Sequence, residues 1–387
     1  MVFLTFIGNI VTSILVGYLA FTNSLSGHIE SLLLPEQVSN SKEVATHIED
    51  TPLTKISNAG QERSVTPTGA IPRILLEHVG FQKAAVIAST DTEDASTQDN
   101  NVPLDTKITN ALVNIYCQYK TDKYIRTTTG TGFFINQKGI ILTNAHVAQF
   151  LLLKDAQGST KNIDCVIRSG NPASPKYKAE LLYISPTWIF ENANLITSET
   201  PRGTGERDYA LLYVSKSIDS APLPARFPSI QIDVALLSRA MSGSSVVTAG
   251  YPAEALIRNG ADTKIFPVLA PTTIGTLYTF GSNYADIFSI SESPVGEQGA
   301  SGGPIVTRDT HNVIGLIATK GDERTEGEHS LRAITLSYVD RTIIEETGFS
   351  LFQNMQGDPA LRGNIFKIAM VPFLAGLLEE ELDAGNQ

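Results

Sequence analysis

The chain has 387 residues, 42% of them hydrophobic, with 29 Lys and Arg against 40 Asp and Glu for a net charge of −11. That length allows two or three domains, and an acidic balance without a Lys or Arg cluster excludes electrostatic binding of nucleic acid or another polyanion. Cys117 and Cys165 allow one internal bridge or two buried thiols, neither CxxC nor Cys/His spacing suggests zinc, and no metal or cofactor is expected.

Residues 2–21 are uncharged and mostly apolar, the length a helix needs to cross a bilayer. No Lys or Arg precedes Lys42, so the basic flank of a cleaved signal peptide is missing. An uncleaved membrane anchor over 1–23 is expected, with the N-terminus inside and the folded part periplasmic or extracellular; cleavage would make the protein secreted. Residues 24–105 hold 12 Asp and Glu against 5 Lys and Arg, so −7 of the charge lies there and −4 on residues 106–387. Excess charge with low hydrophobicity predicts a largely disordered tether, with enough apolar residues in 71–87 for a short helix or docking element.

From residue 106 short apolar runs recur between Gly, Asn and Pro: 111–119, 132–135, 139–143, 164–168, 179–184, 210–214, 246–249, 273–280, 286–289, 303–306, 313–319 and 332–336. About a dozen short strands predict an all-β domain over 106–348, long enough for two six-stranded antiparallel barrels. A helix is expected at 339–347, with Ile343 and Ile344 facing inward and Gly348 as its C-terminal cap. In the tail, 349–387, the apolar run 366–378 is too short to span a bilayer, and Pro372 within it predicts a kinked or interrupted helix. Packing on the barrels, lying on a membrane surface and binding a partner are all open to it.

Three segments carry chemistry. Thr143-Asn144-Ala145-His146 ends an apolar strand, Asp208 heads the strand Tyr209-Ala210-Leu211-Leu212, and Gly299-Ala300-Ser301-Gly302-Gly303-Pro304 is a glycine-rich loop. A serine hydroxyl is a weak nucleophile; it needs an imidazole to take its proton, a carboxylate to orient that imidazole, and amide donors for the oxyanion. The order His, Asp, Ser is that of chymotrypsin, not of subtilisin or the α/β-hydrolases. The other five histidines, His28, His47, His78, His311 and His329, have no such context.

The run from Gly130-Thr131-Gly132-Phe133 through His146 and Val147 resembles the histidine region of trypsin-like serine peptidases, closest to the bacterial HtrA-like branch. The resemblance covers about 106–347 and implies a chymotrypsin-like double barrel that hydrolyses peptide bonds in proteins or peptides. His146 carries over as general base, Asp208 as its orienting acid, Ser301 as nucleophile, and the amides of Gly299 and Ser301 as oxyanion donors. Family alignment sets the base of the primary pocket at Val295 and its walls at Ile317, Ala318 and Thr319, with Glu297 near the rim, which implies a small or medium apolar side chain before the cleaved bond. Ala300 stands where digestive members carry the aspartate that pairs with a newly cut N-terminus, so that activation switch cannot operate here. The tail is too short for the PDZ module of the HtrA-type proteases. The main rival is a catalytically silent, membrane-tethered peptide-binding module on the same fold; an ester hydrolase of the Gly-x-Ser-x-Gly type would need its Asp and His after the serine.

Overall fold

The structure is a computed structural model of the chain and describes residues 54–55, 102–120, 125–155, 162–198, 203–260, 262–290, 293–295, 299–321 and 330–384. The anchor expected over 1–23 and the element at 71–87 lie outside these residues, as does the tether apart from 54–55 and 102–105.

Two closed six-stranded antiparallel barrels form the body of the chain, as the strand spacing predicts. The first runs in the order β2 (Leu112–Lys120), β3 (Ile125–Phe134), β4 (Ile140–Thr143), β7 (Ala210–Ser217), β6 (Ser174–Ile184) and β5 (Asn162–Ser169), with β5 returning to β2. The second runs β9 (Val268–Thr279), β10 (Ile287–Ile290), β13 (Leu331–Thr335), β12 (Val313–Lys320), β11 (Pro304–Thr307) and β8 (Ser245–Gly250), and the pairing of β8 with β9 closes it. Outside this ring β1 (Thr54–Lys55) pairs in parallel with Tyr278 and Thr279.

Alternation of side chains along each strand fills the two interiors. Ile115 and Ile141 are buried in the first barrel; Ile274, Phe288, Ile290, Ile305, Ile317 and Leu331 belong to the core of the second. Cys117 and Cys165 face each other across β2 and β5 and form a disulfide, which decides between the bridge and the free thiols.

Helices cover the first barrel. The helix after β4, Ala145–Asp155, runs three turns and is buried on nearly every side. The C-terminal helix of the barrels, Leu336–Thr347, starts three residues earlier than expected, with Thr335 accepting from the Tyr338 N–H at its start and Gly348 in a left-handed conformation at its end. Ile343 is buried as expected, but Ile344 is 41% exposed. Tyr338, Val339, Thr342 and Ile343 define the inward face, and one further step of the helix turns Ile344 out of it.

The tail folds into helices Leu351–Asn354, Pro359–Ala369 and Val371–Ala384, the last two bent by 58° at a break beside Pro372. Pro372 sits in the first turn of its helix, where a missing N–H costs nothing. Gly363 lies against the first barrel so closely that a Cβ there would meet the Tyr213 ring at 2.5 Å, and Phe366 packs 5.8 Å from the ring of Tyr183. No single described helix is long and apolar enough to cross a membrane.

Candidate active site

His146 stands in the first turn of the helix Ala145–Asp155, at the point where β4 ends. Its backbone N–H donates to Asp208 Oδ1 at 2.9 Å, and its Nδ1 meets Asp208 Oδ2 at 2.7 Å. The carboxylate thus caps an exposed helix N–H and orients the imidazole together, and the positive end of the helix dipole favours it there. An ionised carboxylate only accepts, so Nδ1 carries the hydrogen and Nε2 is left free to take one. Asp208 is buried, and the imidazole keeps 22% of its side-chain surface. Asn144 completes the hold by donating from Nδ2 to the Asp208 carbonyl at 2.7 Å.

The residues on either side of Asp208 are fastened to the C-terminal helix. Arg207 takes a left-handed φ of 53°, and its N–H donates to the Tyr338 hydroxyl at 3.1 Å. Its guanidinium pairs with Glu345 at 2.7 Å and Glu346 at 3.1 Å. Glu346 also accepts from Ser185 Oγ at 2.9 Å and from the Tyr183 hydroxyl, while the Tyr209 hydroxyl accepts from Thr342 Oγ1 at 2.9 Å. Burial pushes the Tyr183 and Tyr209 phenols well above the ordinary tyrosine range, so both stay neutral at any working pH.

Ser301 comes from the second barrel, on the loop that enters β11. The loop is shaped by Gly299 at φ 98° and Gly302 at φ 86°, backbone conformations that side chains with a Cβ disfavour. The Gly302 N–H donates to the Ile317 carbonyl at 2.8 Å, and the Gly303 N–H to the Ala300 carbonyl at 2.9 Å. Gly302 also presses on the first barrel: a Cβ there would lie 2.0 Å from the Thr131 carbonyl oxygen. Among the described residues no hydrogen bond joins Ser301 Oγ to His146, a link that in such sites often tightens only around substrate.

Of the other residues predicted from sequence, Val295, Ile317 and Ala300 lie within the apolar core of the second barrel, Ala318 is buried and Thr319 half-buried. Glu297 lies outside the described residues. His311 is exposed, at a left-handed φ of 62°. Among the described residues no group of three His, Cys, Asp or Glu side chains is placed to hold a metal. The sequence reading missed Thr131, which bonds across to the serine loop, Thr143, which donates to the Thr131 carbonyl, and the Arg207 to Glu346 pairing. Both threonines lie inside the quoted histidine motif, yet the loop partners of Thr131 are far away in the chain.

Residues 130–316 match the family model of the trypsin-like peptidase domain. No curated protein matches the chain. Among solved structures, the active form of the Rv3671c protease from M. tuberculosis is similar at 18% identity, covering 66% of this chain and 86% of that one with a TM-score of 0.36, a likeness that carries no argument by itself.

Proposed function

We propose that this chain, whose residues 130–316 match the trypsin-like peptidase domain, is a serine endopeptidase working through His146, Asp208 and Ser301. Ser301 Oγ attacks the scissile carbonyl while His146 Nε2 takes its proton, and Asp208 holds the Nδ1 hydrogen and stabilises the imidazolium that forms. The amides of Gly299 and Ser301 receive the oxyanion. The imidazolium then protonates the leaving amine, and water, activated by the same nitrogen, hydrolyses the acyl group from Ser301 Oγ. The observation that carries this reading is the 2.7 Å contact of His146 with the buried Asp208, which leaves Nε2 as the basic nitrogen.

The primary pocket is assigned to Val295, Ile317, Ala318 and Thr319, and their apolar character favours a small or medium apolar residue before the cleaved bond. The disulfide supports an oxidising compartment, in line with a peptidase domain held outside the cytoplasm by residues 2–21. The second reading is a silent peptide-binding module on the same fold, and one assay separates the two. The full-length chain is expected to degrade fluorescein-labelled casein, and Ser301→Ala to lose this by about 10⁴-fold or more. A folded wild type no faster than Ser301→Ala would leave only the binding module.

A further inference from the structure

Thr131 has no part in the chemistry above, yet it is where the barrel that bears His146 meets the loop that bears Ser301. It is fully buried on β3, and every polar group it owns is engaged. Its Oγ1 donates to the Gly299 carbonyl at 2.6 Å and accepts from the Tyr251 N–H at 2.9 Å. Its N–H donates to the Ser301 carbonyl at 2.8 Å, and its carbonyl accepts from Thr143 Oγ1 at 2.7 Å. Thr143 is three residues before His146, so one residue touches both the histidine segment and the serine loop.

Two of those bonds bracket the Ser301 donor and adjoin the Gly299 one. Holding the Gly299 carbonyl fixes the peptide plane 299–300, and holding the Ser301 carbonyl fixes the plane 301–302. The plane between them, which carries the Ser301 N–H, is then set from both sides. The Gly299 N–H is separated from the first fixed plane only by the φ and ψ of Gly299 itself. Preorganised donors of this kind act where charge develops in the transition state and add little to substrate binding.

From this geometry we infer that Thr131 is a positioning residue for the oxyanion site, acting through its hydroxyl on the Gly299 and Ser301 amides. The inference rests on the endopeptidase reading. It separates the hydroxyl from the methyl group: the hydroxyl serves the reaction, and the methyl only fills space.

The test compares wild type, Thr131→Val and Thr131→Ser in the full-length chain, with initial rates on labelled casein across concentrations and melting temperatures alongside. Thr131→Val keeps the shape but strands the Gly299 carbonyl and the Tyr251 N–H; its kcat is expected to fall about 10²-fold with KM within about twofold of wild type. Thr131→Ser retains the hydroxyl and is expected within about threefold of wild type in kcat. Wild-type kcat in Thr131→Val, or equal losses in Val and Ser variants, would overturn the inference. Should Thr131→Val fail to fold, Thr131→Cys takes its place: its weak donor is expected to leave kcat at least about tenfold down, and a Cys variant as fast as Ser would overturn the proposal. A wild type that neither cleaves casein nor reacts with a fluorophosphonate fails at the endopeptidase reading itself, before any Thr131 variant is compared.

Discussion

The two barrels share a strand count and differ in how they hold what they contribute. The first carries His146 and Asp208 already joined at 2.7 Å, and it has a disulfide, a buried helix beside the histidine and the tail helix Pro359–Ala369 on its outer face. The second contributes Ser301 on a glycine-rich loop whose ties include bonds to Thr131 of the other barrel. Half of the site is therefore assembled inside one unit, while the other half depends on the fit between two. Mutations at the junction should strike the chemistry, and mutations inside the first barrel should strike stability first.

Gly302→Ala gives the largest expected effect. The new Cβ would lie 2.0 Å from the Thr131 carbonyl oxygen at a φ of 86°. The loop must withdraw from the first barrel, with casein hydrolysis expected to fall about 10³-fold and stability by about 3 kcal/mol. Rates beside a denaturant titration check this, and near-wild-type activity would show that the serine loop stands without the junction. The paired change Cys117→Ser and Cys165→Ser sharpens the contrast: stability is expected to drop about 2–5 kcal/mol, with kcat within about twofold of wild type well below the melting temperature. A large fall in kcat there would mean that the first barrel's rigidity is itself catalytic.

The smallest effect belongs to Asp155, at the end of the helix that bears His146. Burial raises its carboxyl above the ordinary 3.8, and Lys154 and the Leu181 N–H oppose that rise. The folded state thus holds the proton more tightly than the unfolded one, so this contribution is fully present below 3.8 and is lost as pH rises through the raised folded value. Asp155→Asn cannot titrate, so the melting temperature of wild type relative to the variant is expected to climb as pH is lowered from 7 toward 4. A relative fall would show that the ion pair with Lys154, at 3.3 Å, outweighs burial.

Much of this fold was legible because strand and turn alternate cleanly. Runs such as Ile140–Thr143 and Pro304–Thr307, fully buried and bounded by turn residues, are visible as strands without any neighbour. The first half of β3 was not, since Arg126 to Thr129 are polar or threonine-rich and only half-buried. The helix Ala145–Asp155 is not legible either, because a helix buried nearly all round has no polar face to show a period. Its buried surroundings come from the tail and the barrel, which local sequence does not reveal. His146, Asp208 and Ser301 stood out through their immediate neighbours. Thr131 did not, because its meaning lies in a bond to Gly299, 168 residues away; Arg207 likewise depends on Glu346, 139 residues on.

The most direct test of the account is to treat the full-length chain with a fluorophosphonate and locate the adduct by mass spectrometry, beside His146→Ala with matched circular dichroism. The expected result is a single adduct on Ser301 that disappears in His146→Ala. A well-folded wild type with no adduct, or one whose labelling survives loss of the imidazole, would contradict a serine nucleophile activated by His146.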